Sequence, residues 1–293
     1  MTELIPEDSR GKSRSFPTVW QALLLLGLLF ILQLGATVIV GVYQAVQSIP
    51  VQELATTLAI VNVATFGAVA ILGAAWSRVS ARQLFYLRGF SPLLILPMLV
   101  MMLGLIIIVS ELDNVLQRFL PMPDWFMEML SELGLGEGFA LSTFIVLVVV
   151  APLTEEPLFR GIMLHGFARN YGTWWAVLGT SFLFGAIHLN PWQFMGAFFL
   201  GIVFAWWTLK TRSILPATLG HALNNGMVLF TADVLNIDIQ GFNAWEEGVH
   251  AHQPWWFTLT GVVLALVGAG ILHKMWSPGK DPLANTPRQS ELS

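Results

Sequence analysis

Long runs of apolar residues, separated by short polar connections, dominate the chain from end to end. A bilayer core about 30 Å thick is crossed by about 20 helical residues, and about eight runs approach that length. We therefore predict an all-α, polytopic membrane protein with about eight transmembrane helices. The predicted helices begin near Trp20, Leu54, Leu93, Phe139, Trp174, Pro191, Ile214 and Trp255.

The fourth run is the least obvious, because charged residues interrupt it. The stretch from Phe139 to Leu153 is apolar, Glu155, Glu156 and Arg160 follow, and the apolar pattern then resumes. We interpret the whole stretch as one long helix with charges at mid-depth. Because an ionisable group is costly inside a bilayer, a functional role is the default hypothesis for these residues.

The connections alternate in charge, which predicts the topology. Lys and Arg collect on the cytoplasmic side of a membrane, and every second connection is basic, starting with the segment before the first helix. Both termini are therefore expected to face the cytoplasm, with the plasma membrane of a bacterium as the expected location. We divide the chain into a cytoplasmic tail (1–18), one membrane-embedded domain (19–273) with a motif-bearing core at about 139–232, and a disordered cytoplasmic tail (274–293).

The connection after the third run has its own pattern. Between Val115 and Leu135, apolar and acidic side chains alternate around Pro121 and Pro123. This favours a short amphipathic segment, a helix pair on the outer membrane surface, with an ordinary loop as an equal alternative.

Composition excludes several classes of protein. The chain is 55% hydrophobic and 11% charged, far more apolar than a soluble domain. It has no cysteine, which excludes disulfides and thiolate chemistry. No internal repeat, phosphate-binding glycine loop or nucleic-acid signature is present. We therefore expect the lipid bilayer as a partner of the protein and no nucleic acid.

Three short fragments place polar side chains inside the apolar runs. Glu155, His188, His221 and Asn225 lie about 14–21 Å from the predicted cytoplasmic ends of their helices, at about 1.5 Å rise per residue. We therefore expect them to gather in one slab of the membrane. A carboxylate, two imidazoles and an amide can activate water and stabilise the oxyanion of a hydrolysed amide.

Residues four apart share one face of a helix, so the spacing within each fragment has a structural meaning. Glu156 is expected to pair with Arg160, which leaves Glu155, about 100° around the helix, free for another role. Pro152 and Pro157 remove two backbone donors, so we expect irregular backbone near Glu155.

The fragments Glu155-Glu156-x-x-x-Arg160, Phe184-x-x-x-His188 and His221-x-x-x-Asn225 together resemble the motifs of the CAAX protease and bacteriocin-processing family of intramembrane endopeptidases. The resemblance implies that Glu155 activates water, that His188 shares this task, and that His221 and Asn225 bind the oxyanion or orient the substrate. It implies structural roles for Glu156 and Arg160. We interpret Phe184 as a packing residue. The expected substrate is a membrane-associated peptide or protein, lipidated or not.

The role of a metal stays open at this point. Glu155, His188 and His221 could hold a catalytic zinc ion with an open position, but the familiar His-Glu-x-x-His helix is absent. We favour a metal-free glutamate mechanism that requires no cofactor.

Each polar residue also has an alternative interpretation. The same groups could form the ion or proton pathway of a membrane transporter, or the chain could be a catalytically silent peptide-binding scaffold or immunity protein. The remaining histidines are interpreted as solvated or interfacial; they are His165, His250, His252 and His273.

Overall fold

The computed structural model describes residues 15–47, 54–132, 141–230, 239–242 and 252–276. The tails predicted before residue 15 and after residue 276, including the predicted disorder, lie outside these residues. Within the described ranges the chain forms ten helices: α1 Val19–Gln47, α2 Leu54–Ser77, α3 Ala81–Leu84, α4 Ile95–Phe119, α5 Asp124–Glu132, α6 Leu141–Tyr171, α7 Thr173–Ala186, α8 Pro191–Thr211, α9 Leu215–Leu229 and α10 Trp255–Met275.

Six of these helices are long and apolar enough to cross a bilayer, namely α1, α2, α4, α6, α8 and α10. Large apolar side chains such as Trp20, Ile31 and Ile71 are exposed along α1 and α2, as expected of surfaces that face lipid. The chain is thus an all-α integral membrane protein, which confirms the predicted fold class.

The predicted count of eight spans is not confirmed. The fifth and seventh predicted spans correspond to α7 and α9, which have 14 and 15 residues in the described part of the chain. At about 1.5 Å per residue such helices extend only about 21–23 Å, less than a bilayer core of about 30 Å. The helix α7 therefore falls short of a full crossing, and α9 is described only as far as Phe230.

One short helix, α5, follows the third predicted span where a helix pair was expected. Val115 to Phe119 still belong to α4, so only Asp124–Glu132 forms a separate element among the described residues. The Phe126 ring is buried and lies 4.9 Å, centroid to centroid, from the ring of Trp192 at the start of α8. This contact attaches α5 to the end of the bundle near the candidate site.

The backbone of α6 departs from regular α-helical geometry in two places. Ile145–Val150 and Pro157–Met163 are π-helical, and Ala151–Glu156 lies between them. Pro152 and Pro157 have no N–H to donate, which favours such local changes in the hydrogen-bond pattern. The irregular backbone expected around Glu155 is therefore present.

Glycines allow α4 and α10 to pack backbone against backbone. A Cβ atom on Gly104 would overlap the backbone of Ala265 and Gly261, and one on Gly268 would overlap the backbone of Met101. Small residues at such positions let membrane helices approach closely. This tight pair forms one wall of the bundle beside the site.

Two apolar clusters make up the interior. The first joins α1, α2, α6 and α7 and includes Phe184; the second joins α4, α8, α9 and α10 and includes Phe204 and Trp207. The polar residues singled out from the sequence lie where these clusters meet.

Candidate active site

A buried carboxylate joins two helices at the centre of the site. Glu156 on α6 is 0% exposed, and its Oε1 accepts hydrogen bonds from Arg160 Nη1 at 3.1 Å and from the Nδ1 of His221, on α9, at 2.9 Å. The first bond is the pairing expected from the four-residue spacing. The second bond fixes the His221 ring from a helix far away in sequence, so Glu156 positions a residue of the site as well as neutralising Arg160.

The Arg160 guanidinium is held by aromatic rings as well as by Glu156. It is 1% exposed, its Cζ lies 4.1 Å from the centroid of the Phe184 ring and 5.5 Å from that of Phe204, and Nη2 donates to the carbonyl of Gly201 at 3.5 Å. Cation–π contact is strongest where water is excluded. The charge therefore has partners on α6, α7 and α8.

The ring of Phe184 contacts both histidines of the site. Its ring lies edge-on to His188 at 5.5 Å and to His221 at 5.6 Å, centroid to centroid, while Phe204 stacks on His221 at 6.0 Å. The packing role expected for Phe184 therefore extends to orienting both imidazoles.

His188 has a defined hydrogen-bond partner on its own helix. Its Nδ1 lies 2.9 Å from the carbonyl oxygen of Phe184. A carbonyl only accepts, so Nδ1 bears the proton, and the neutral ring then has its lone pair on Nε2. The same reasoning applies to His221, whose Nδ1 donates to Glu156. Both rings are thus held by one nitrogen while the other is left for chemistry.

Asn225 is anchored by the irregular backbone of α6. Its Nδ2 donates to the Leu147 carbonyl at 2.9 Å, and its Oδ1 accepts from Asn224 at 3.2 Å. In a π-helical turn the Leu147 carbonyl would pair with the backbone N–H of residue 152, which is a proline and has none. Pro152 therefore frees the oxygen that fixes Asn225.

A cavity of about 330 Å³ brings His188, His221 and Asn225 together, with Phe184 and Phe204 in its wall. Glu155 is not among the residues that line this cavity. It is partly buried, lies near enough to Arg160 to interact with its charge, and its Oε2 is buried without a hydrogen-bond donor. The structure thus places three of the four predicted catalytic residues on one cavity, whereas Glu155 does not line it.

The donor set considered for zinc is not assembled. No group of three His, Asp or Glu side chains stands close enough to share a metal ion in the part of the chain that the structure describes. Glu155, His188 and His221 therefore do not fit a zinc site in this arrangement.

Four further polar residues line the cavity and were not singled out from the sequence: Ser110, Asp113, Gln193 and Asn224. Asp113 lies inside α4, which ends at Phe119. Its Oδ2 accepts from Gln117 at 2.6 Å, and its Oδ1 is buried without a donor. The four-residue spacing to Gln117 was the signal that these residues are helical.

These features define a class: a polytopic membrane protein in which irregular helices enclose two imidazoles, side-chain amides and one carboxylate, that of Asp113, in a cavity. Residues 137–227, about a third of the chain, match the family model described as type II CAAX prenyl endopeptidase Rce1-like. The match spans all three motifs and supports the resemblance of these residues to the CAAX protease and bacteriocin-processing family. Comparison with curated proteins gave no match, and comparison with solved structures gave none either.

Proposed function

We propose that the protein is an intramembrane endopeptidase that hydrolyses a peptide bond of a membrane-associated substrate with a water molecule activated by Glu155. The observation that supports this most is the shared cavity of His188, His221 and Asn225, in which both imidazoles are held through Nδ1. The family match supports a protease of the CAAX type. A scissile amide surrounded by lipid needs both water and polar groups at its own depth.

Glu155 is the proposed base. Its neighbour Glu156 is committed to Arg160 and His221, whereas Glu155 Oε2 has no protein donor. A buried polar atom without a partner calls for a specific explanation, and a bound water that donates to this oxygen provides one. In the proposed reaction Glu155 takes a proton from that water, and the resulting hydroxide attacks the amide carbon.

The remaining polar groups have complementary roles. His188 shares the proton through Nε2, and Asn225 has a second amide N–H that can donate to the oxyanion. His221, held by Glu156 and Phe204, orients the substrate or binds the oxyanion beside Asn225. The proton finally passes to the leaving amine, which completes hydrolysis without a covalent intermediate.

The substrate and the orientation follow from chemistry and charge. The matched family model names a prenyl endopeptidase, so we propose a peptide anchored by a lipid or by its own apolar segment. The alternation of basic and acidic connections supports cytoplasmic termini, and a bacterial plasma membrane remains the expected location.

Replacing His188 with alanine should lower the rate of peptide cleavage about 100-fold, as expected for loss of a group that shares proton transfer. The assay is cleavage of a lipid-anchored reporter peptide by full-length protein in proteoliposomes. His252→Ala is the matched control, since this exposed histidine pairs with Glu111 and does not line the cavity. Equal rates for His188→Ala and the parent would argue against the proposed role.

Stringent chelation should leave cleavage unchanged within about twofold, because a carboxylate base needs no metal. The measurement combines activity after dialysis against a strong chelator with elemental analysis of the purified protein. Zinc bound at one ion per chain, together with activity that is lost on chelation and restored by zinc, would overturn the metal-free mechanism.

A further inference from the structure

A second cavity lies at the opposite end of the bundle, about 30 Å along α8 from the start of that helix. It has a volume of about 250 Å³, and four arginines line it: Arg82, Arg88, Arg169 and Arg212. We name it the basic cavity. Its residues come from α3, the end of α6 and the turn after α8, where the spanning helices end.

The described residues of the protein do not neutralise the positive charge of the basic cavity. None of its lining residues in the described part of the chain is an Asp or Glu, and none of the four arginines forms an ion pair there. Only Arg169 has a side-chain hydrogen bond, donated from Nε to Ser15 Oγ at 3.1 Å. Like charges gathered in one concave site raise its potential and attract an anion.

The floor of the cavity adds a buried group with no partner. His165 is only 9% exposed, and its Nε2 is buried without a hydrogen bond; of the two interpretations given to this residue, solvated or interfacial, the burial contradicts the first. The Tyr86 ring packs edge-on against His165 at 6.1 Å between centroids. Burial raises the pKa of Tyr86 to about 12, against the opposing charges of Arg212 and Arg169, so its phenol remains a hydrogen-bond donor.

The segments that bear the arginines are fixed to one another. Ser213 Oγ donates to the Arg88 carbonyl at 2.6 Å, and the backbone N–H of Ile214 donates to the Tyr86 carbonyl at 3.3 Å. Arg212 itself adopts a left-handed conformation with φ of 51° at the end of α8. The cavity is therefore preorganised, with Arg88 and Arg212 held on two joined turns.

We propose that the basic cavity binds a phosphate group, supplied by the headgroup of an anionic phospholipid. Arginine forks match phosphate oxygens in geometry and charge, and His165 offers a further hydrogen bond from the floor. Basic pockets between membrane helices at the headgroup level suit anionic lipids, and a cavity at the ends of α6 and α8 lies at that level. The site is separate from the candidate active site, so the inference does not rest on the proposed function.

The test is lipid binding by the purified full-length protein in detergent, measured by native mass spectrometry with phosphatidylglycerol and with phosphatidylcholine. We expect at least tenfold tighter binding of phosphatidylglycerol. Arg88→Gln and Arg212→Gln should each weaken it about tenfold, as expected for loss of one charge-assisted hydrogen bond. Arg88 is exposed and only its backbone bonds to Ser213, so Arg88→Gln should fold even if Arg212→Gln does not.

Arg78→Gln is the matched control. Arg78 is an exposed arginine beside the end of α2 that does not line the cavity, so its loss removes the same charge from the same end of the bundle. It should change binding by less than twofold. Equal weakening by Arg78→Gln and Arg88→Gln, or equal affinity for the two lipids, would overturn the proposal.

A competition with inorganic phosphate identifies the source of the phosphate group. If millimolar phosphate displaces phosphatidylglycerol from the parent but not from Arg88→Gln, the site binds the phosphate group itself. Retention of the lipid against phosphate, with weakening by Arg88→Gln, supports recognition of the lipid headgroup. Displacement that is unchanged in Arg88→Gln contradicts the assignment of the site.

Discussion

Glu155→Gln should abolish peptide cleavage, with a rate about 10⁴-fold below that of the parent, because glutamine cannot accept a proton from water. The substitution keeps the shape of the side chain. Since no hydrogen bond of the described residues involves Glu155 Oε2, folding should change little. The measurement pairs cleavage in proteoliposomes with thermal unfolding of the same purified variant.

The neighbouring residue provides the control that decides between the two glutamates. Glu156→Gln should lower stability as well as activity, because Glu156 bonds both Arg160 and His221. If Glu156→Gln abolished cleavage with an unchanged unfolding temperature while Glu155→Gln stayed active, Glu156 would be the base. That outcome would contradict the role proposed for Glu155, which does not line the cavity.

Glu156→Ala and Arg160→Ala should each destabilise the protein by about 3–5 kcal/mol, because either change leaves an unpaired charge inside the bundle. Glu156 and Arg160 are 0% and 1% exposed, so solvent cannot compensate. Arg160→Ala also removes the contacts to Phe184 and Phe204. The measurement is equilibrium unfolding in detergent, monitored by tryptophan fluorescence.

A double-mutant cycle separates the ion pair from these other contacts. The double variant should be more stable than the sum of the two single losses predicts, since it leaves no lone charge. Additive losses, or single losses below about 1 kcal/mol, would show that the pair does not hold the site together.

The sequence predicts where the helices begin better than it predicts which of them are long enough to cross the bilayer. The described helices begin close to the expected positions. The expected start of the fourth span, near Phe139, lies outside the described residues. Hydropathy does not report where a helix stops: α7 ends before Leu189, which has a φ of 56°, and Pro191 starts the next helix. The fifth apolar segment, which was expected to cross the bilayer, is therefore a shorter helix.

Within the site, local relations are predictable and tertiary ones are not. The Glu156–Arg160 pair follows from spacing along one helix. The bond from His221 to Glu156 depends on how α9 packs on α6, and the bond from Asn225 to Leu147 depends on a π-helical turn. Depth along a helix predicted a shared layer for Glu155 and the histidines, but it could not show that Glu156, one residue on, is the carboxylate that contacts His221.

The most direct test of the central claim, hydrolysis of a membrane substrate at this site, is mass spectrometry of membrane peptides from cells that contain either the parent protein or Glu155→Gln at equal abundance. We predict new peptide termini, at a membrane-associated sequence, that occur with the parent and are absent with Glu155→Gln. Identical sets of termini in the two membranes would contradict the account.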